Sequence, residues 1–484
     1  MNPALRRLAA ACLAGLVLVA GGLTFQQAVA GPGYRDDLRN PRALLDRAER
    51  PRGQIVTADG VVVARSEEGA DGARVRLYPE GDLYGHVTGY ASSYFGDTGI
   101  EATRAADLRS GNDGSLTAAL FRLLGGDLRP HHVQLTLRDD LQRVAAAALG
   151  EQRGAVIALD PSTGAILALV SHPGFDPNVL ATGDPAEGNA LDADPDQPLL
   201  NRAIAAAYPP GSSFKVLVAA AALATGDYAP GTELEDRDEL ALPGSTAVIR
   251  NSDEGFCGDG ATITLQRALA VSCNTAFAAL GMEIGAGALL AAVEGAGFNG
   301  TIPFDFPTAA SVLPPDGLAD DLPALAQTAL GQRDVRATPL QMALLAAAVA
   351  NGGEIMRPYL VRALLNADGE ETSLTRASAW RRAMAEEVAA ALAQMMEAVI
   401  ADGTGWRAAV PGVRVAGKTG TAEVPGGAPD VWFIGFGPVD PEPGEPRIAI
   451  AVLVEDGGSL GEDGSGGSVA APIAQKVLAA FFAG

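Results

Sequence analysis

Lysine is nearly missing from this chain of 484 residues: of its 35 lysines and arginines, only Lys215, Lys418 and Lys476 are lysine. Arginine keeps its proton near neutral pH, whereas a lysine loses it when desolvated or crowded by another cation. The bias is most simply a codon-usage effect, yet it makes each surviving lysine informative. Histidine is scarce too. His86, His131, His132 and His172 all precede Ser212, and no Gly-x-Ser-x-Gly elbow occurs, which argues against a serine–histidine hydrolase. The histidines show no metal-ligand spacing with the three cysteines, so neither a metal nor another cofactor is expected. Walker and Rossmann glycine motifs and repeats of 20–50 residues are missing as well. A shortage of basic charge, net −23, speaks against nucleic acid or an anionic lipid surface as a partner and leaves acidity as a solubility device.

What is present is apolar. Hydrophobic residues make up 48%, with much Ala and Gly, enough to bury a sizeable core in two or three domains. Arg6 and Arg7 precede an uncharged stretch from Leu8 to Phe25 that ends near Ala28-Val29-Ala30. The stretch is short for a spanning helix and long for a signal-peptide core, so residues 1–30 are read as a signal-anchor or a removed signal. Either way the remainder is expected outside the cytoplasm, with the positive residues inside. Cys12 lies in that segment. Cys257 and Cys273 remain as an even pair in an oxidising compartment, expected to form a disulfide, with two buried thiols as the alternative.

A polar stalk from Gly31 to Arg52 leads to two β-runs around Asp59-Gly60, then to a small, irregular α+β unit. The expected division is 1–30 anchor, 31–149 non-catalytic pedestal and 150–484 catalytic domain. The large domain reads as strand–turn–strand over 155–170, an acidic surface loop over Asp176–Gln197, and an Ala-rich helical block. Strands return at Val413–Ala416, Val431–Gly437 and Ile448–Glu455, before a last helix from Ala471 to about Phe482. That order predicts an α+β fold whose antiparallel sheet is covered by helices on both faces.

Three motifs carry chemistry. Ser212 follows Pro209-Pro210-Gly211 and opens a helix, so Lys215 returns its amine to the same face. The helix start offers N–H groups to a developing anion, and serine needs a neighbouring base to become a nucleophile. Ser272-Cys273-Asn274 adds a second hydroxyl to relay a proton, with an amide to hold a substrate carbonyl or orient Lys215. Lys418-Thr419-Gly420-Thr421 continues a strand: Gly420 permits close backbone approach, and Lys418 supplies charge and helps keep Lys215 neutral. The Thr419 and Thr421 hydroxyls can grip a carboxylate. Backbone N–H groups of Ser212 and Thr421 would form an oxyanion hole. Each motif alone also suits a bland role, as a helix cap, a buried helix start or an edge strand.

In this order, Ser-x-x-Lys, Ser-x-Asn and Lys-Thr-Gly are a known signature of penicillin-binding proteins and serine β-lactamases. Leu200-Asn201-Arg202, Tyr208-Pro209-Pro210-Gly211, Gly331-Gln332, Thr338-Pro339-Leu340-Gln341 and Trp432-Phe433-Ile434-Gly435 resemble the transpeptidase domain. Arg52-Gly53-Gln54-Ile55 and Gly99-Ile100-Glu101 resemble the pedestal of class B enzymes, and the whole chain is most similar to actinobacterial members. The resemblance implies a membrane-anchored D,D-transpeptidase that cross-links D-Ala-D-Ala stem peptides through Ser212 to an acceptor amine and is acylated by β-lactams. It also implies a separate glycosyltransferase and division or elongation proteins as partners. A β-lactamase or a non-catalytic β-lactam-binding scaffold is the alternative. Cys273 inside the second motif and Arg333, where many relatives carry glycine, depart from the pattern.

Overall fold

The computed structural model describes residues 2–26, 51–68, 74–109, 120, 122–252 and 254–483. The Ala28-Val29-Ala30 site and the stalk up to residue 50 lie outside the described residues. Helix α1 (Pro3–Phe25) has no buried residue and is long and apolar enough to cross a membrane. Asn2 caps it by accepting from the Ala4 N–H at 3.0 Å, and Pro3 sits where a backbone N–H is not needed. Among the described residues two further helices are also long and apolar enough, but both are partly buried inside the protein.

Strands β1 (Ile55–Val56) and β2 (Val62–Glu68) pair antiparallel around the expected turn, where Gly60 takes φ +87°. Next come β3 (Arg74–Leu77), β4 (His132–Leu135), α2 (Asp139–Leu149), β5 (Gly154–Leu159), β6 (Ile166–His172), α3 (Lys215–Thr225), α4 (Leu265–Ala270), α5 (Asn274–Gly295) and α6 (Pro339–Ala350). A hairpin of β7 (Val361–Leu365) and β8 (Glu371–Leu374) precedes α7 (Glu386–Asp402). The chain closes with β9 (Ala416–Ala422), β10 (Asp430–Gly437), β11 (Ile448–Val454) and α8 (Ala471–Ala483).

The last three strands join β5 and β6 in a five-stranded sheet of order β9-β10-β11-β5-β6, antiparallel throughout. Its strands read as unbroken apolar runs because both faces are covered. Val156, Val431, Phe433 and Val452 pack toward α2 and α8. Ile157, Trp432, Ile434 and Ala451 point the other way, into the core that holds α3, α6 and α7. This is the antiparallel sheet between helices that the element order predicts, with β9 at one edge.

A second sheet, of order β8-β7-β4-β1-β2-β3, mixes the beginning of the chain with residues 361–374. β1 runs parallel to β4, while β4 pairs antiparallel with β7. Behind it the two N-terminal motif segments meet at Glu101, which is fully buried. It faces the Arg52 guanidinium at 2.8 Å and the Arg76 guanidinium at 2.5 Å. A carboxylate this deep is tolerable only with such partners, and removing one would strand a charge.

Four of the elements read from sequence differ in the structure. Residues 176–197 are not all loop: helices Pro177–Ala181 and Pro185–Asp192 occupy part of the tract. Each starts with an Asp side chain accepting a backbone N–H and a proline in the first turn, so the Asp-Pro pairs are helix starts rather than breakers. The strand expected over 413–416 begins only at Ala416. Helices expected separately at 275–280 and 289–293 are two halves of α5, interrupted at Gly285 with φ +77°. Ser212 lies on a 3₁₀ turn, Gly211–Phe214, that precedes the α-helix.

Cys257 and Cys273 are joined in a disulfide, with Cα atoms 5.8 Å apart and a sequence separation of 16. Loop-closure entropy assigns such a cross-link about 3 kcal/mol. Cys257→Ser is therefore expected to lower the urea midpoint of unfolding, and reductant to lower the wild-type midpoint similarly. Equal midpoints with and without reductant would contradict this.

Candidate active site

The site begins with a backbone that has no room for side chains. Gly211 takes φ +53°, donates its N–H to the Gly331 carbonyl at 3.0 Å, and would place a Cβ 2.5 Å from the Thr421 carbonyl oxygen. A Cβ on Gly420 would fall 2.7 Å from the Pro210 oxygen and 3.1 Å from the Ser213 nitrogen. The turn carrying Ser212 is thus laid directly on β9. The Trp432 indole N–H holds the Pro209 carbonyl at 2.9 Å, and the Ser213 hydroxyl donates to the Pro210 carbonyl at 2.6 Å. Ser212 is left half-buried.

Two lysines converge on Ser272, both fully buried. The Lys215 amine lies 2.7 Å from the Ser272 carbonyl oxygen, 2.7 Å from Asn274 Oδ1 and 3.3 Å from Ser272 Oγ. The Lys418 amine donates to Ser272 Oγ at 2.9 Å and to the Thr419 carbonyl at 3.0 Å. One hydroxyl therefore bridges two amines. Burial, and secondarily the charge of Lys418, hold the Lys215 amine well below the usual lysine range. Burial pulls Lys418 down to about 7. A neutral Lys215 has two N–H bonds, and the Ser272 carbonyl and Asn274 Oδ1 can only accept. Those two contacts use both hydrogens and leave a lone pair free for a hydroxyl.

The second motif is pinned from outside. Ser272 adopts φ +62°, a left-handed conformation uncommon for a residue with a side chain. Asn251 holds the start of α5: its Oδ1 accepts from the N–H groups of Asn274 at 3.0 Å and Thr275 at 3.1 Å. Its Nδ2 donates to the carbonyls of Arg237 at 2.9 Å and Gly255 at 2.8 Å. The Asn274 amide donates to the Arg250 carbonyl at 3.0 Å, which fixes its oxygen toward Lys215. The disulfide ties Cys273 to the same flank. Asp236 lies beside the two sulfurs, which are bonded to each other.

Thr419 and Thr421 share one face of β9. The Thr419 hydroxyl lies 2.6 Å from the Thr404 hydroxyl, and Thr421 Oγ1 accepts from the Gly466 N–H at 3.3 Å. The space beside Gly420, read from sequence as open to a substrate backbone, is filled by Pro210 and Ser213 on one side. On another, a Cβ on Gly466 would lie 2.5 Å from the Gly420 oxygen.

The structure thus joins Lys215, Ser272, Asn274 and Lys418 in one hydrogen-bonded cluster and lays the turn that carries Ser212 on Gly420 and Thr421 of β9, with Thr419 on the same strand. Asn251, Thr404 and Gly466 belong to the same assembly and were not singled out from sequence, because no spacing rule marks them. Asn251→Ala leaves two backbone N–H groups of the Ser272–Thr275 segment without their acceptor. It is expected to cost about 2–3 kcal/mol in denaturant unfolding. A loss below about 0.5 kcal/mol would mean that Asn251 does not hold the segment.

The chain is similar to known proteins over its whole length. A family model described as the penicillin binding protein transpeptidase domain matches residues 154–479, and one described as the penicillin binding protein A dimerisation domain matches residues 52–130. Peptidoglycan D,D-transpeptidase PbpA of Mycolicibacterium smegmatis is 42% identical, with 99% of each chain covered. The protein of the same name from Mycobacterium tuberculosis is 41% identical over all of both chains. Among solved structures, the ceftriaxone acyl-enzyme complex of penicillin-binding protein A from M. tuberculosis superposes with a TM-score of 0.82 at 38% identity. That match covers 90% of this chain and 99% of the other. A D,D-transpeptidase domain from Eggerthella lenta gives 0.78 at 35% identity, with 90% and 99% covered. By sequence over its full length and by fold, the chain belongs to the penicillin-binding protein transpeptidase family, in class B.

Proposed function

We infer that the chain is a peptidoglycan D,D-transpeptidase that works through an acyl-enzyme on Ser212. The observation that carries this reading is the pair of buried amines joined through the Ser272 hydroxyl. One lysine is held neutral to act as a base, and the other is poised near neutrality to receive an anion.

In the proposed sequence, Ser212 Oγ attacks the penultimate D-Ala carbonyl of a stem peptide while the Lys215 lone pair takes the hydroxyl proton. The backbone N–H groups of Ser212 and Thr421 receive the charge that develops on the carbonyl oxygen. The C–N bond then breaks, and the proton passes through Ser272 to the departing amine, releasing D-Ala. An acceptor amine from a neighbouring stem peptide repeats these steps in reverse and frees Ser212. Lys418, with the Thr419 and Thr421 hydroxyls, holds the terminal carboxylate, and Asn274 orients Lys215. A β-lactam enters by the same attack and stays attached, because its leaving amine remains tethered to the acyl group.

The wider setting belongs to the same proposal. Residues 1–30 act as a single-pass anchor, 31–149 as a pedestal and 150–484 as the catalytic domain outside the cytoplasm. Helix α2, within the pedestal portion, packs on the catalytic sheet. Glycan polymerisation falls to a partner glycosyltransferase within a growth or division complex.

Intact-protein mass spectrometry with benzylpenicillin tests the core of this reading. A stable single adduct on the wild type and none on Ser212→Ala is expected. A transient adduct with hydrolysed drug accumulating would make the protein a β-lactamase, and no adduct on either would leave a scaffold or a site that needs its membrane partner to become competent. Lys215→Arg is expected to slow acylation roughly 10²–10⁴-fold, because a guanidinium cannot accept the proton.

The pH dependence has a definite sign. Acylation is expected to fall on the acidic side as Lys215 gains a proton, and on the alkaline side as Lys418 loses one from about 7. The two limbs belong to the coupled pair. Lys418→Gln removes the like charge that depresses Lys215, so the acidic limb should move to higher pH while the alkaline limb disappears. A profile unchanged in shape would contradict the assignment of charge to Lys418.

A further inference from the structure

The segment between α7 and β9 touches both halves of the site. At its start the Arg267 guanidinium, on α4, donates to the Asp402 carbonyl at 3.0 Å. Gly403 passes so close to the end of α4 that a Cβ there would lie 2.2 Å from the Ala270 oxygen. The Thr404 N–H then donates to that same Ala270 carbonyl at 3.1 Å, two residues before Ser272. On its other side, the Thr404 hydroxyl meets the Thr419 hydroxyl at 2.6 Å. A Cβ on Gly467 would fall 2.6 Å from the Thr404 oxygen, so the turn after Ser465 closes the third side. Thr404 is thereby fixed against three elements, and its side chain ends on a hydroxyl of the Lys-Thr-Gly strand.

We propose that Thr404 is a positioning residue for ligand recognition: its hydroxyl donates to Thr419 Oγ1 and so turns the Thr419 proton toward the carboxylate of the bound ligand. The inference rests on the carboxylate role assigned to Thr419 in the proposed function. A hydroxyl carries one proton, and two hydroxyls at 2.6 Å share one hydrogen bond in one of two directions. If Thr419 donates to Thr404, its proton is lost to the ligand. If Thr404 donates, Thr419 accepts and its own O–H is free for an anionic acceptor, where a charge-assisted bond is the stronger outcome. Thr421 shows the same arrangement built from backbone, since the Gly466 N–H donates to its oxygen and leaves its proton free. Both threonines are then donors prepared from behind before the ligand arrives, which removes the cost of reorienting them in the complex. Thr404 touches no ligand itself and acts only through Thr419.

The test compares benzylpenicillin with its methyl ester, which keeps the reactive ring and lacks the carboxylate. Second-order acylation constants are measured by mass spectrometry on the full-length protein in detergent, for the wild type, Thr404→Val, Thr404→Ser and Thr419→Val. In Thr404→Val the constant for the acid is expected to fall about three- to tenfold, the worth of one hydrogen bond. The constant for the ester should stay within about twofold, so the acid-to-ester ratio narrows, and Thr404→Ser should restore it. Thr419→Val should narrow the ratio at least as much. Equal losses for acid and ester in Thr404→Val would mean a merely structural role and would overturn the inference. A narrowed ratio in Thr419→Val with a wild-type ratio in Thr404→Val would overturn the inference alone. A wild-type ratio in Thr419→Val would sink the carboxylate role of Thr419 and the inference with it.

Discussion

Two buried amines sharing one hydroxyl is the constraint on which much of the remaining architecture depends. Lys215 and Lys418 both approach Ser272 Oγ, at 3.3 and 2.9 Å, with no exposed surface of their own. Two ammonium groups cannot both stay charged in such a place, because desolvation and mutual repulsion each act against the second proton. The environment therefore lowers the hold of both amines on a proton that lysine ordinarily keeps, Lys215 by burial and by the charge of Lys418, and Lys418 by burial. That outcome needs three chain segments held to within a fraction of an ångström. α3 brings one amine, β9 the other, and the α4–α5 link brings the hydroxyl.

The protein meets this demand with backbone contacts more than with side-chain packing. Gly211, Gly331, Gly420 and Gly466 are each pressed against a neighbouring main chain where a Cβ would collide. Removing side chains lets the serine turn sit directly on the edge strand, so their separation is set by peptide groups, which are stiff. The Ser272 segment has no such strand beneath it. It is clamped instead by Asn251 and the disulfide to the flank formed by residues 233–264. A left-handed Ser272 is the local strain that this clamping sustains.

Much of this is legible in the sequence, for reasons that can be stated. The three motifs identify themselves because reactive chemistry needs particular side chains at short spacing, and lysine's rarity sharpens two of them. The sheet is recognisable because Val431–Gly437 and Ile448–Val454 are apolar throughout, as strands covered on both faces must be. What is missed depends on distant partners or on context. Asn251 and Thr404 are ordinary polar residues whose importance lies only in what folds against them. The helices at 177–181 and 185–192 hide because Asp and Pro mark loops and helix starts alike. β7 and β8 look like any short strands, and nothing near them announces a partner such as Gln134, which Arg362 reaches across a separation of 228 residues.

That last pairing bears on how the protein is made. The sheet begun by residues 55–77 and continued by β4 acquires its outer strands only when residues 361–374 are available. Until then the far side of β4 is an open edge, a row of unpaired peptide groups able to accept a wrong partner. A chain emerging from its N-terminus must keep that edge unsatisfied while more than two hundred further residues are delivered. This sheet, though its first strands appear early, is among the last parts to be completed. Nascent chains stalled before the hairpin would carry the exposed strand that favours aggregation, and β4 is the defined segment that a chaperone would have to protect.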